Sequence, residues 1–100
     1  MSLKALEATK DLGTLKFGQV YNFEFDITNT LPKDMVIDKV QVSCSSCTTA
    51  TMDKKVKGNS TAKLKVTYTP GVVGPTSKSV NIKYDKDQVL TVQFKGVVNE

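Results

Sequence analysis

Histidine, arginine and tryptophan are all absent from this 100-residue sequence. Each absence closes a route. Without histidine there is no Ser-His-Asp or Cys-His catalytic pairing and no mixed Cys/His zinc site. The usual general base near neutral pH is also missing. Without arginine there is no forked donor to read guanine edges or clamp phosphate; all fourteen basic residues are lysine. Without tryptophan, and with only two cysteines, Cys44 and Cys47, close together in the chain, the antibody-type pattern of distant bridged cysteines around a packed tryptophan is excluded.

Long apolar runs and phosphate loops are missing too. No run approaches the roughly 18 residues of a membrane-spanning helix, so membrane insertion is not expected. The opening MSLKALEATK has no apolar h-region, which reads as no signal peptide. Residues 1–3 also fit a cloning scar on an excised domain, in which case the start says nothing about compartment. Extracytoplasmic and virion-associated settings therefore both stay open. No G-x-G-x-x-G or P-loop pattern occurs. The expectation is no enzyme, no cofactor and no metal.

What remains is a folded chain of one domain, residues 1–100. Hydrophobic residues make up 39% and charged residues 24%, too apolar for a disordered segment. The net charge is +4, but the lysines are scattered and many have an acidic residue close by. Lys54, Lys55 and Lys57 form the one tight cluster. A solvated, lysine-rich surface accounts for this better than nucleic-acid binding, which is not expected.

The dominant period is two. In VYNFEFDITN, Tyr21, Phe23, Phe25 and Ile27 alternate with Asn22, Glu24, Asp26 and Thr28, the pattern of a half-buried strand. AKLKVTY, KSVNIKY and VLTVQFKG repeat it, with Leu64, Val66, Val80, Ile82, Val92 and Phe94 on the apolar phase. In MVIDKVQV the apolar phase shifts between Ile37 and Val40, which predicts a bulge near Asp38-Lys39. Shorter strands are expected at about Leu6 to Thr9 and Thr48 to Met52. Turn residues separate the runs: Leu31-Pro32-Lys33-Asp34, Lys57-Gly58-Asn59-Ser60, Pro70-Gly71, Gly74-Pro75 and Asp85-Lys86-Asp87. Phe17 and Gly18 should turn into the second strand. About seven short strands without a helical period imply an all-β, immunoglobulin-like β-sandwich.

The motifs also carry a resemblance. DLGTLKFGQVYNFEFDITNT resembles the opening of a bacterial domain family of unassigned function, where a D-x-G-x-x-x-x-G stretch leads into an F-x-F-x-x-x-N strand. MVIDKVQVSCSSCTTA is similar to its segment ending in S-C-G-C-T, and the strands to Val98 resemble the rest. The same layout recurs in ASH (cilium and centrosome) and major sperm protein-like domains. The resemblance implies a sandwich used as a binding or structural module without catalysis. The sequence departs from the pattern twice. The N-x-G turn reads Asn29-Thr30-Leu31, so the turn is expected to run through Pro32. C-G-C reads Cys44-Ser45-Ser46-Cys47, one residue longer.

Three uses of Cys44 and Cys47 compete. A reactive C-x-x-C sits at a helix N-terminus, whereas this one ends a strand and precedes the β-prone Thr-Thr-Ala-Thr. Structural zinc needs four ligands, and one chain supplies two thiolates. The pair therefore reads as architecture, either bridged or free, ahead of redox or metal chemistry. The functional expectation is a non-catalytic protein-interaction or scaffolding module, with a protein partner or self-association. The alternatives are a structural subunit of a phage or surface appendage, and a redox or metal-binding module through Cys44 and Cys47.

Overall fold

The computed structural model describes the backbone of residues 3–5 and 8–100, and side chains from Ala8 onward. The alternating segments become strands because alternation lets one face of each bury while the other stays wet. In chain order these are β1 (Leu3–Ala5), β2 (Thr9–Lys16), β3 (Tyr21–Asn29), β4 (Met35–Val42) and β5 (Thr48–Thr51). They continue as β6 (Lys55–Val56), β7 (Thr61–Tyr68), β8 (Gly74–Tyr84) and β9 (Gln88–Asn99). None of the described residues is helical. A four-stranded sheet, β1-β3-β7-β5, faces a five-stranded sheet, β2-β9-β8-β4-β6, so the fold is an immunoglobulin-like β-sandwich.

The strand count among the described residues exceeds the expected seven for two physical reasons. β6 is only two residues long and too short to show a period. β2 hides its period behind a bulge: Asp11 sits opposite Lys95 but Thr14 opposite Val97. Gly13 at the bulge has φ 72°, and its N–H donates to Asp11 Oδ1 at 2.9 Å. This lets Leu12 and Leu15 both reach the core. Of the short strand expected at Leu6 to Thr9, Leu6 and Glu7 lie outside the described residues and Thr9 begins β2.

Gly74-Pro75, expected as a turn, instead opens β8 opposite Val98 and Val97. β4 pairs with β8 only from Val80 onward, so this stretch is an edge, where proline costs little. The bulge expected near Asp38-Lys39 is present: Ile37 lies opposite Tyr84 and Lys39 opposite Lys83. Met35 and Ile37 before it and Val40 and Val42 after it all turn inward.

Phe25, Ile27, Leu64, Val66, Val80, Ile82, Val92 and Phe94 are buried in the core shared by the two sheets. Phe23, expected with them, is half-buried but packs edge-on against Phe94 with ring centroids 5.0 Å apart. Lys10 of β2 lies over the Phe25 ring at 5.6 Å.

One buried polar side chain organises the far end of the sandwich. Asn29, fully buried, closes the F-x-F-x-x-x-N motif. Its Nδ2 donates to the carbonyls of Lys33 (2.8 Å), Val56 (3.1 Å) and Lys57 (3.3 Å). Its Oδ1 accepts from Leu31 N at 3.0 Å. The turn expected to depend on Pro32 is thus held by the Asn29 amide. Pro32 instead lies against Gly58, where a Cβ would meet its carbonyl carbon at 2.5 Å.

Candidate functional site

The segment at residues 43–47 carries the chain from β4 in one sheet to β5 in the other. Cys44 O accepts from Cys47 N (3.3 Å) and Thr48 N (2.9 Å), which makes a tight turn. Ser43 N donates to Ser79 O, and Ser79 N to Ser43 Oγ, both at 3.0 Å. Thr69 N reaches Cys47 O at 2.9 Å. In the structure a disulfide joins Cys44 and Cys47 across this turn, with Cα atoms 5.6 Å apart. No helix follows the pair to lower a thiol pKa. Among the described residues no group of three or more His, Cys, Asp or Glu side chains is placed to hold a metal.

Strand direction gathers three connections at this end: residues 17–20, 43–47 and 69–73. Gly18 N donates to Pro70 O at 3.0 Å, so the first and third lie side by side. Gly18 has φ 79°, a backbone that suits glycine in a sharp turn. The two connections expose Phe17 (51%), Val20 (55%), Val72 (77%) and Val73 (48%). Next to them, Val97 (47% exposed) sits opposite Pro75 on the outer strand face. A cleft of about 360 Å³ opens between the third connection and the disulfide turn, lined by Cys44, Cys47, Tyr68, Val72, Pro75 and Lys78. Tyr68 forms its floor: the ring is buried against Phe94, and the hydroxyl lies 3.2 Å from Thr76 Oγ1.

The polar face of the smaller sheet is self-matched. Across the outer face of the smaller sheet, Asn22 stands opposite Thr67, Glu24 opposite Lys65 and Asp26 opposite Lys63. Thr67 Oγ1 donates to Asn22 Oδ1 at 2.7 Å, and Lys63 pairs with Asp26. The Asp26 hydrogen bond and charge hold the exposed Lys63 ammonium above its ordinary value of 10.5. The acidic phase of β3 is therefore met by lysines of its own sheet.

Sequence reading located the cysteine turn but missed the apolar end. Its signal was present in plain form: apolar residues inside turn segments, Phe17-Gly18 with Val20, and Val72-Val73 between Gly71 and Gly74. Apolar residues that belong to no strand phase have no core to enter.

The described strands form two facing sheets, with β1 at the edge of one and β2 at the edge of the other. The chain aligns with the ASH/PapD-like domain of human CEP192 at a TM-score of 0.67 and 13% identity, covering 99% of this chain and 86% of that one. It belongs to the family described as protein of unknown function (DUF1573), whose profile matches residues 3–98. A protein of unknown function from Porphyromonas gingivalis W83 aligns at a TM-score of 0.81 and 14% identity, covering 96% of this chain and 46% of that one. The Vibrio cholerae VesB protease aligns at 0.79 and 10% identity, covering 96% of this chain and 32% of that one. The chain thus spans less than half of either bacterial protein, and at these identities the likeness is one of fold. No curated protein matches the chain.

Proposed function

We propose that this chain is a non-catalytic protein-interaction module that binds through the loop end of its sandwich. The observation that carries the reading is the clustering of Phe17, Val20, Val72 and Val73 on two hydrogen-bonded connections. Single exposed apolar residues need no explanation, but four of them gathered on two adjacent connections at one end point to a contact surface. The end loops of a sandwich are also where such folds carry binding residues on a rigid scaffold. Fold alone does not assign function, so the weight rests on the surface rather than on the likeness to ASH/PapD-like domains.

The Cys44–Cys47 bridge acts in this reading as a clamp. It fixes one wall of the cleft whose other wall is Val72. The lysines serve solubility, and no nucleic-acid role is proposed, because Lys63 and Lys65 face Asp26 and Glu24 rather than converging on one basic surface. The test compares proteins captured by immobilised wild type with those captured by Phe17→Asp and Val72→Asp. The expected result is a discrete partner retained by wild type and lost from both variants, with unchanged circular dichroism. An identical set from all three proteins overturns the reading.

A further inference from the structure

We propose that β5 is a self-pairing edge, through which two copies of this chain join their smaller sheets into one continuous eight-stranded sheet. This goes beyond the loop-end reading and uses a different surface.

The free strand edges of this fold are not protected alike. A free strand edge offers unpaired N–H and C=O groups, and folds blunt such edges with charge, proline, bulges or brevity. β1 has three residues and β6 two, and β6 includes Lys55. β2 is bulged at Gly13 and carries Lys10, Asp11 and Lys16. Residues 21–26 of β3, which no described residue of β1 pairs, carry Glu24 and Asp26, so a second copy there would meet like charge. Residues 39–42 of β4, past β6, follow the bulge and carry Lys39. β5 reads Thr-Thr-Ala-Thr, with no charge, no proline and no break in its register with β7. Among the described residues nothing pairs with its other side.

The hydrogen-bond phase shows which groups β5 presents. Thr69 N donates to Cys47 O, so Cys47, and by alternation Thr49 and Thr51, turn their backbone groups toward β7. Thr48, Ala50 and Met52 therefore turn theirs outward. Thr48 N is already used by Cys44 O at 2.9 Å. What remains for a partner is Thr48 C=O, both groups of Ala50, and Met52 N–H.

That set is self-complementary. In an antiparallel pair centred on Ala50, the two Ala50 residues exchange both bonds, and each Met52 N–H meets the other copy's Thr48 C=O. Thr49 of each copy lies opposite Thr51 of the other on the outer face, a cross-strand pair that favours sheets. No like charges oppose one another. The arrangement is isologous, as a two-fold dimer requires. The contact is short, so the dimer belongs to the weak class of interfaces.

Sedimentation equilibrium across roughly 10 µM to 1 mM tests it at concentrations suited to a weak dimer. Wild type should move from the 10.9 kDa monomer toward twice that mass. Ala50→Pro removes an outward N–H and no internal bond, and should abolish the shift while leaving circular dichroism unchanged. Thr51→Lys, which keeps the backbone intact, should weaken dimerisation at least tenfold. Wild type that stays monomeric to ~1 mM overturns the proposal, even if a peptide of residues 47–52 binds the edge. So does a dimer that both variants leave unchanged. Loss of dimerisation in Phe17→Asp and Val72→Asp but not in these variants would move the contact to the loop end.

Discussion

Replacing Asn29 with alanine gives the sharpest stability prediction. The amide is fully buried, and its two Nδ2 hydrogens serve three carbonyls, those of Lys33, Val56 and Lys57. Truncation leaves the buried Val56 carbonyl, a share of the two half-buried carbonyls and the Leu31 N–H without a partner. A buried orphan costs about 1–3 kcal/mol, and a half-exposed one less because water can reach it. The sum for Asn29→Ala is about 3 kcal/mol. Domains of this size hold roughly 5–15 kcal/mol in total. With a urea m-value near 1.5 kcal/mol/M, the midpoint should fall by about 2 M with m unchanged. Asn29→Asp separates hydrogen bonding from volume. Its carboxylate would face three carbonyl oxygens, so at neutral pH the loss should equal or exceed that of alanine. A loss below about 1 kcal/mol for Asn29→Ala, or an aspartate tolerated better than alanine, would refute the reasoning.

Three further outcomes follow from packing. Phe25→Ala empties a fully buried site between the sheets and should cost about 3–5 kcal/mol in denaturant unfolding. Gly58→Ala drives a Cβ to within 2.5 Å of the Pro32 carbonyl carbon, a backbone atom that cannot step aside. It should cost about 1–3 kcal/mol by thermal or urea unfolding, although alanine ordinarily favours a chain more than glycine. Cys44→Ser with Cys47→Ser should leave a folded β-sandwich by circular dichroism, about 2 kcal/mol less stable at most, because the closed loop is so short.

Where the sequence was legible, one residue type repeated at a fixed period. β3, β7, β8 and β9 alternate cleanly, and their apolar phases are the core. The bulge in β4 was legible for the same reason: a one-residue shift in phase has a single geometric meaning. β2 was not legible, because its bulge at Gly13 breaks the period and only the parallel partner β9 shows that the two halves are one strand. Asn29 stood in a motif, but its acceptors on Val56 and Lys57 lie 27 and 28 residues away, a separation no local pattern encodes. The apolar end was unread because Phe17 and Val72 belong to different connections, placed side by side by the β3–β7 pairing and the Gly18–Pro70 hydrogen bond. Gly74-Pro75 misled in the opposite direction: a turn pair by composition became strand by position, on an edge where its missing donor is not needed.

The loop end is proposed as the working surface of this chain. Site-specific photocrosslinking inside the cell that encodes the chain tests it most directly. A photoreactive residue at Val72, 77% exposed on the apolar end, is compared with one at Thr91, exposed on the outer face of the larger sheet. A discrete crosslinked protein adduct is expected from position 72 and none from position 91. Adducts from position 91 alone, or no adduct from position 72, would contradict it.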